Sequence, residues 1–232
     1  MSSIAKKINA KRIISRFVLR NHVYSAKVNR KVVAFTFDDG PSQETTIRLV
    51  DLFAQYQGKA SFFFQGNRAE QHSDIVLYTH RAGCSIGNHS YDHSLYDQIG
   101  ASEMLRQIRK TNQILTSITG ESPRFLRPPQ HRFTQWEAIQ IWLKTHQLII
   151  EANLTPMDWT GLPPSDLADF LSANMQPGAI VCLHDASEST VQALQEALPR
   201  LKKMGYDFLS LAEMQKEGRF SPYRQIIVNN LK

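Results

Sequence analysis

Two carboxylates stand side by side where an apolar run should stop. Val32-Val33-Ala34-Phe35 leads through Thr36-Phe37 into Asp38-Asp39, and Gly40-Pro41 turns the chain away. The run reads as a buried strand, and Gly-Pro marks its end. Adjacent like charges there raise each other's pKa and lose hydration. A divalent cation offsets both costs. Neighbouring positions on a strand face opposite ways, so one carboxylate is readily given to a metal and the other to a proton. The simpler alternative is a turn whose Asp side chains cap the next helix.

Further chemistry-bearing residues recur behind later apolar runs: His89-Ser90-Tyr91-Asp92-His93, Arg127-Pro128-Pro129, Asp158-Trp159 and His184-Asp185. His89 and His93 are four apart. On a helix both imidazoles would share one face, the spacing of zinc-binding helices; otherwise they are a surface or loop pair. With Asp39 they form a three-ligand set that leaves positions open for water and substrate. The same set suits non-haem iron(II), so the ligands alone do not name the metal. Arg127 would keep Asp38 ionised and oriented. His184, after Ile180-Val181-Cys182-Leu183, is either a satisfied core residue or, opposite a metal and an Asp, a general acid.

These residues need a scaffold that gathers strand ends. Apolar runs at Val32–Phe37, Ala60–Phe64, Cys84–Gly87, Arg124–Leu126, Leu148–Leu154, Ala179–Leu183 and Tyr206–Leu209 read as strands. Helical patterns fall between them at Gln43–Gln57, Arg68–Ala82, Ser102–Thr119, Gln135–His146, Ser165–Asn174 and Thr190–Lys203. Alternation of this kind implies a parallel sheet. Seven strands at this spacing suit a closed barrel better than an open sheet. In either, active groups gather at the C-terminal strand ends.

Composition narrows the function classes. The chain has 232 residues, 42% of them apolar, which suits one α/β domain with a sizeable core. No run of 18 apolar residues occurs, so no transmembrane helix is expected. The net charge of +6 is unevenly placed: nine bases precede the first acid, Asp38, and the remainder carries 18 bases against 21 acids. The body is mildly acidic, which argues against a nucleic-acid-binding domain. Residues 1–30 read as a basic leader, helical up to about Lys27. It lacks the apolar centre and cleavage site of a secretory signal. Its readings are a helix packed beside the domain, a membrane-surface helix drawn to anionic lipid through residues 1–25, or a transit peptide. The expected location is cytoplasmic or membrane-surface. Residues 31–215 form the barrel domain, and 216–232 a peripheral tail with an edge strand at Gln225–Val228. Cys84 and Cys182 sit in short apolar segments and read as core packing, with no disulfide framework.

Taken together, the motifs resemble the NodB-homology polysaccharide deacetylases, carbohydrate esterase family 4. Thr36–Pro41 is similar to the family's first motif, His89–His93 to its second, His-Ser/Thr-x-x-His, and Arg127-Pro128-Pro129 to the start of its third. Asp158-Trp159 is similar to the end of the fourth and Leu183-His184 to the fifth. The likeness runs from about Lys31 to Met214. It implies a single-domain distorted (β/α) barrel of seven or eight mostly parallel strands and a metal-dependent hydrolase that removes N-acetyl groups from an amino-sugar polymer or glycoconjugate. Asp39, His89 and His93 would hold a divalent ion, Zn2+ first among them. Asp38 would be the base for the attacking water, the Gln130 backbone N–H an oxyanion donor and His184 the acid for the leaving amine. Trp159 and Leu183 would wall the acetyl pocket.

Two positions depart from the family pattern. Its third motif continues Tyr-Gly, where this chain has Gln130-His131, putting a bulky ring at the cleft. Its fourth carries an Asp three residues before Asp-Trp, where this chain has Thr155. A Thr cannot stabilise an imidazolium as a carboxylate does, so the expectation is a lowered His184 pKa. Within the fold, the alternative substrate is a lipid-linked sugar, with deformylase or deacylase chemistry. From other classes come a carbohydrate-binding protein of little turnover and an iron oxygenase. The set Asp38, Arg127 and His184 disfavours the oxygenase.

Overall fold

The computed structural model describes residues 21–222. Its centre is strand β2 (Val32–Asp38), buried at every position. Its neighbours β3 (Ser61–Phe64) and β7 (Ile180–His184) are apolar runs of the same kind. Strands without a polar face belong in a parallel sheet covered on both sides. Helices α1 (Thr46–Gln55), α6 (Pro164–Asn174) and α7 (Glu188–Lys203) pack Leu49, Phe53, Leu167, Leu171, Leu194 and Leu198 into the cluster that also holds Phe35, Phe37 and Phe62.

The sheet follows the order β7-β2-β3-β4-β5-β6-β1-β9, and a ninth strand, β8 (Asp207–Phe208), pairs with the start of β2. Here β1 is His22–Lys27, β4 Ser85–Asn88, β5 Phe125–Leu126, β6 Leu148–Ile150 and β9 Arg219–Pro222. All pairings are parallel except β1 with β9. The far side of the path, β6 and β1, curls back toward β7. Leu154, just past β6, bridges Val181 of β7, and the Ala26 amide donates to the Gly178 carbonyl at 2.8 Å. The sheet is thus a curled, distorted barrel, as the family resemblance implied.

Register decides what meets at the C-terminal rim. Asp38 pairs with His184, Phe64 with Asn88, and Asn88 with Leu126. The residues after β2, β4, β5 and β7 therefore emerge on one side, and these carry four of the five chemistry-bearing segments; the fifth, Asp158-Trp159, follows β6. The remaining helices are α2 (Gly66–Gln71), α3 (Ser73–Arg81), α4 (Tyr96–Thr119), α5 (Gln135–Thr145) and α8 (Leu211–Glu217), the last set against the N-terminal ends of β3 and β4, where its first amides donate to Ser61 and Ser85. Thr134 and Glu137 form a capping box that starts α5, and Ser210 and Glu213 do the same for α8.

Several sequence expectations need correction. The expected helix over Arg68–Ala82 is two helices, because His72 leaves the helical region at φ −126° and ψ 51°. Helix α4 begins six residues before Ser102 and is broken at Gly100, whose φ of 73° suits only glycine comfortably. Residues 22–27, read as the end of a helical leader, are strand β1, paired to both β6 and β9. That pairing spans more than 120 residues, and no local pattern announces it. Part of the expected tail, Arg219–Pro222, is the edge strand β9. The leader before residue 21 and the strand expected at 225–228 lie outside the described residues. No helix among the described residues is long and apolar enough to cross a membrane.

Candidate active site

Asp38 ends β2 beside a fully buried arginine. Arg127 Nη1 donates to Asp38 Oδ1 at 2.7 Å and to Thr36 Oγ1 at 2.8 Å. Its Nε donates to the Ile150 carbonyl at 3.0 Å and its Nη2 to the Glu151 carbonyl at 3.2 Å, while the guanidinium lies 4.3 Å over the Phe63 ring. A buried guanidinium is costly unless its donors are satisfied. Here carbonyls of the β6 end and an aromatic face supply what water would. Burial alone would raise the Asp38 carboxyl, but Arg127 holds it below the usual range, so it stays an anion in the interior.

The next residue leaves the strand. Asp39 takes φ 70°, and a Cβ at Gly40 would run into the Asp185 carboxylate. Asp185 clamps this turn. It accepts from Thr45 Oγ1 at 2.8 Å and from Thr46 Oγ1, and its own amide donates to the Asp38 carbonyl at 2.8 Å. Burial pushes its carboxyl up to about 6.

Asp39 faces both histidines of the second segment. Its Oδ1 is 3.5 Å from His89 Nε2 and 3.3 Å from His93 Nε2, and it accepts from Gln65 Nε2 at 2.7 Å. Residues 89–93 are not helical, in contrast to the geometry their spacing suggests. Ser90 and His93 both have φ of 66°, and this loop brings the two rings to 5.1 Å centroid separation. His89 Nδ1 is 2.7 Å from the Arg127 carbonyl, which fixes that nitrogen as the donor and turns the Nε2 lone pair toward Asp39. The ligand atoms of Asp39, His89 and His93 lie within 4.8 Å of one another. Two neutral imidazole lone pairs and a carboxylate converging at such distances fit a divalent cation. Oδ2 of Asp38 is 4.0 Å from His89 Nε2, on the margin of that set.

His184 ends β7. Its Nδ1 is 2.8 Å from Asp158 Oδ1, and its amide donates to Asp158 Oδ2 at 2.8 Å. Thr190 Oγ1 also donates to Oδ2 at 2.8 Å. Burial opposes the imidazolium, but Asp158 raises the His184 pKa above its ordinary value. This overturns the expectation drawn from Thr155, which is exposed. The carboxylate that supports His184 comes from Asp158 itself. Trp159 is 57% exposed and packs edge-on to the His184 ring at 4.8 Å, at the mouth of the cleft. Leu183 does not wall a pocket. It belongs to the central core cluster, because strand alternation sends it to the opposite face from Cys182 and His184.

Gln130 and His131 form a tight turn with φ of 52° and 55°. The His131 ring does not simply crowd the cleft. Its Nδ1 pairs with Glu151 Oε2, and its Nε2 is 3.8 Å from Cys182 Sγ. Glu151, Asp158 as partner, Asp185 as clamp and Cys182 at the floor were not found by sequence reasoning. For Cys182 the signal existed: it is two residues before His184 on a strand, hence on the same face.

A curled parallel sheet carries at its C-terminal rim three residues that could hold a metal ion, a buried carboxylate beside them and a carboxylate-supported histidine, a set of the hydrolase type. The profile of the polysaccharide deacetylase family matches residues 25–140. The chain is 32% identical over 199 residues to a peptidoglycan-N-acetylglucosamine deacetylase of Bacillus cereus, covering 83% of this chain and 71% of that protein. It spans less than half the length of longer peptidoglycan deacetylases from Bacillus subtilis and Listeria monocytogenes. A solved peptidoglycan N-acetylglucosamine deacetylase superposes with a TM-score of 0.78 at 30% identity, over 87% of this chain and 95% of that one. A family 4 pseudoenzyme from Bacillus anthracis superposes at 0.80 and 26% identity, over 86% and 70%. The chain belongs to the polysaccharide deacetylase family.

Proposed function

We propose that this protein is a metal-dependent deacetylase that hydrolyses N-acetyl groups on an amino-sugar polymer, with a peptidoglycan-type glycan as the substrate class. The observation that carries this reading is the placement of Asp38 Oδ2 4.0 Å from His89 Nε2, with Oδ1 tied to Arg127. One oxygen of the base is anchored and the other faces the triad.

Asp39, His89 and His93 are the residues that would hold the ion, with Zn2+ first because two imidazoles and one carboxylate suit it. Such an ion supplies Lewis acidity toward the acetyl carbonyl and toward water. Asp38 takes the proton from the attacking water. It is competent for this because Arg127 keeps it ionised without occupying Oδ2. The backbone N–H of Gln130, on the turn after Arg127, donates to the developing oxyanion, a contact whose loss costs on the order of 100-fold or more. His184 gives a proton to the departing amine, and Asp158 on Nδ1 keeps the imidazole protonated and aimed. Trp159 flanks the acid and offers an exposed aromatic face to a sugar ring.

The likeness to a pseudoenzyme makes a binding protein of little turnover the alternative to weigh. Three residues of metal-ligating type, a buried Asp beside an arginine and a carboxylate-supported histidine are present together, which supports turnover. The nine-base N-terminal stretch favours a second substrate reading, a sugar held on an anionic lipid surface. The test is acetate release from N-acetylated glycans by metal-loaded protein, paired with metal analysis. Asp38→Asn should keep the metal and lose acetate release; His89→Ala should lose both. Acetate release undiminished in Asp38→Asn would refute the assignment.

A further inference from the structure

Beside Asp38 lie two further donors, Cys182 and His131, that the deacetylation chemistry does not use. Cys182 Sγ is 3.5 Å from Asp38 Oδ2 and 3.8 Å from His131 Nε2, and donor atoms of the three residues all lie within 4.8 Å of one another. In a tetrahedral zinc site, bond lengths of about 2.3 Å to sulfur and 2.0–2.1 Å to nitrogen or oxygen place ligand atoms roughly 3.3–3.6 Å apart. Two edges of the group are close to that before any ion arrives.

The outer contacts are also those of a metal-binding histidine. Glu151 pairs with His131 Nδ1, which leaves Nε2 as the lone-pair nitrogen facing the thiol. Glu151 is itself fixed by His22 Nε2 at 3.0 Å, from strand β1. Burial would raise the Glu151 carboxyl, but His131 and His22 hold it down to about 2, so it is an anion near neutral pH. The left-handed Gln130-His131 turn brings the ring into place. His131 is 31% exposed at the side chain, so the group is reached from the cleft.

We propose that Asp38, His131 and Cys182 form a second, inhibitory site for a thiophilic divalent cation such as Zn2+. Binding converts the Cys182 thiol to a metal thiolate and releases its proton to solvent, so no other reactant is needed. The ion takes Asp38 Oδ2, the same oxygen that faces His89 Nε2 at 4.0 Å. Occupancy of this site and proton abstraction by Asp38 therefore exclude each other. Arg127 Nη1, 3.6 Å from Cys182 Sγ, places a positive charge beside the second ion and makes it the weaker of the two. Burial pushes the Cys182 thiol well up, so without a metal it is a neutral, unreactive group.

The inhibitory half rests on Asp38 being the base; the binding half does not, and the two are read separately. Metal-free full-length protein is titrated with Co2+ and followed by absorbance. The first equivalent enters Asp39, His89 and His93 and gives no sulfur-to-cobalt charge transfer. The second should give that near-ultraviolet band and release a proton. The band should be absent in Cys182→Ser and in His131→Gly, both checked for cooperative unfolding, and kept in Cys84→Ser. Excess Zn2+ should lower acetate release by wild type tenfold or more, and much less in Cys182→Ser, each relative to its own rate at one equivalent. No band in wild type, or a band surviving in either Cys182→Ser or His131→Gly, overturns the site. A band without inhibition overturns the claim that it blocks the base.

Discussion

Replacing Asp158 with Asn tests the assignment of the acid. Asp158 is completely buried at its side chain and accepts three hydrogen bonds of 2.8 Å, from His184 Nδ1, the His184 amide and Thr190 Oγ1. Asn keeps the shape but has a single acceptor oxygen, and its NH2 must oppose one of those donors. A hydrogen bond between charged partners contributes about 1.5–3 kcal/mol, so its loss should lower kcat roughly ten- to hundredfold. The direction in pH follows from the same contact. Asp158 raises the His184 pKa, so the imidazolium that donates to the amine persists to higher pH. Without the carboxylate the His184 pKa falls, and the alkaline limb of the kcat profile should move to lower pH. The assay is acetate release from an N-acetylated glycan across pH with metal saturating. An alkaline limb that stays put, or moves up, would show that His184 is not the acid or that Asp158 does not support it.

Thr155→Asp should leave that limb unmoved, because Thr155 is exposed and the carboxylate on His184 is already supplied by Asp158. Arg127→Met should leave Asp38 buried without its partner and cost about 3–5 kcal/mol, read by denaturant unfolding. Phe62→Ala should cost a similar ~3–5 kcal/mol, since Phe62 is fully buried and stacks on Phe37 at 5.1 Å. Chelation should abolish acetate release while near-ultraviolet circular dichroism still reports a packed core, and Zn2+ should restore it. Loss of the core signal on chelation would mean the ion holds the fold together rather than serving the reaction.

The strands and most helices could be read locally because strands covered on both faces are predominantly apolar with no polar face, and the helices between them are amphipathic. Val32–Asp38, Ser61–Phe64 and Ile180–His184 are of this kind. Strand β1 could not be read. His22–Lys27 is half-buried and basic-flanked, and its partners lie more than 120 residues away. The break at His72 and the non-helical path of residues 89–93 escaped for a related reason: spacing reports which residues would share a face if the chain were helical, not whether it is. The misplacement of Leu183 was avoidable, since period-two alternation already puts it opposite Cys182 and His184.

By itself, the amino-acid order determined which side chains are available for chemistry and that they follow strand ends: Asp38, Asp39, His89, His93, Arg127, Asp158 and His184. It also carried enough of the family's motifs to imply the reaction class. Only the tertiary structure decided their partners. Parallel register sets Asp38 beside His184 and Asn88 beside Leu126. The structure also puts Asp158, rather than the Thr155 position, against His184 Nδ1, and sets buried Cys182 within reach of Asp38 and His131. A carboxylate acts on whatever lies within a few ångströms. Long-range backbone hydrogen bonds choose those neighbours, and a local pattern of residue types does not encode them.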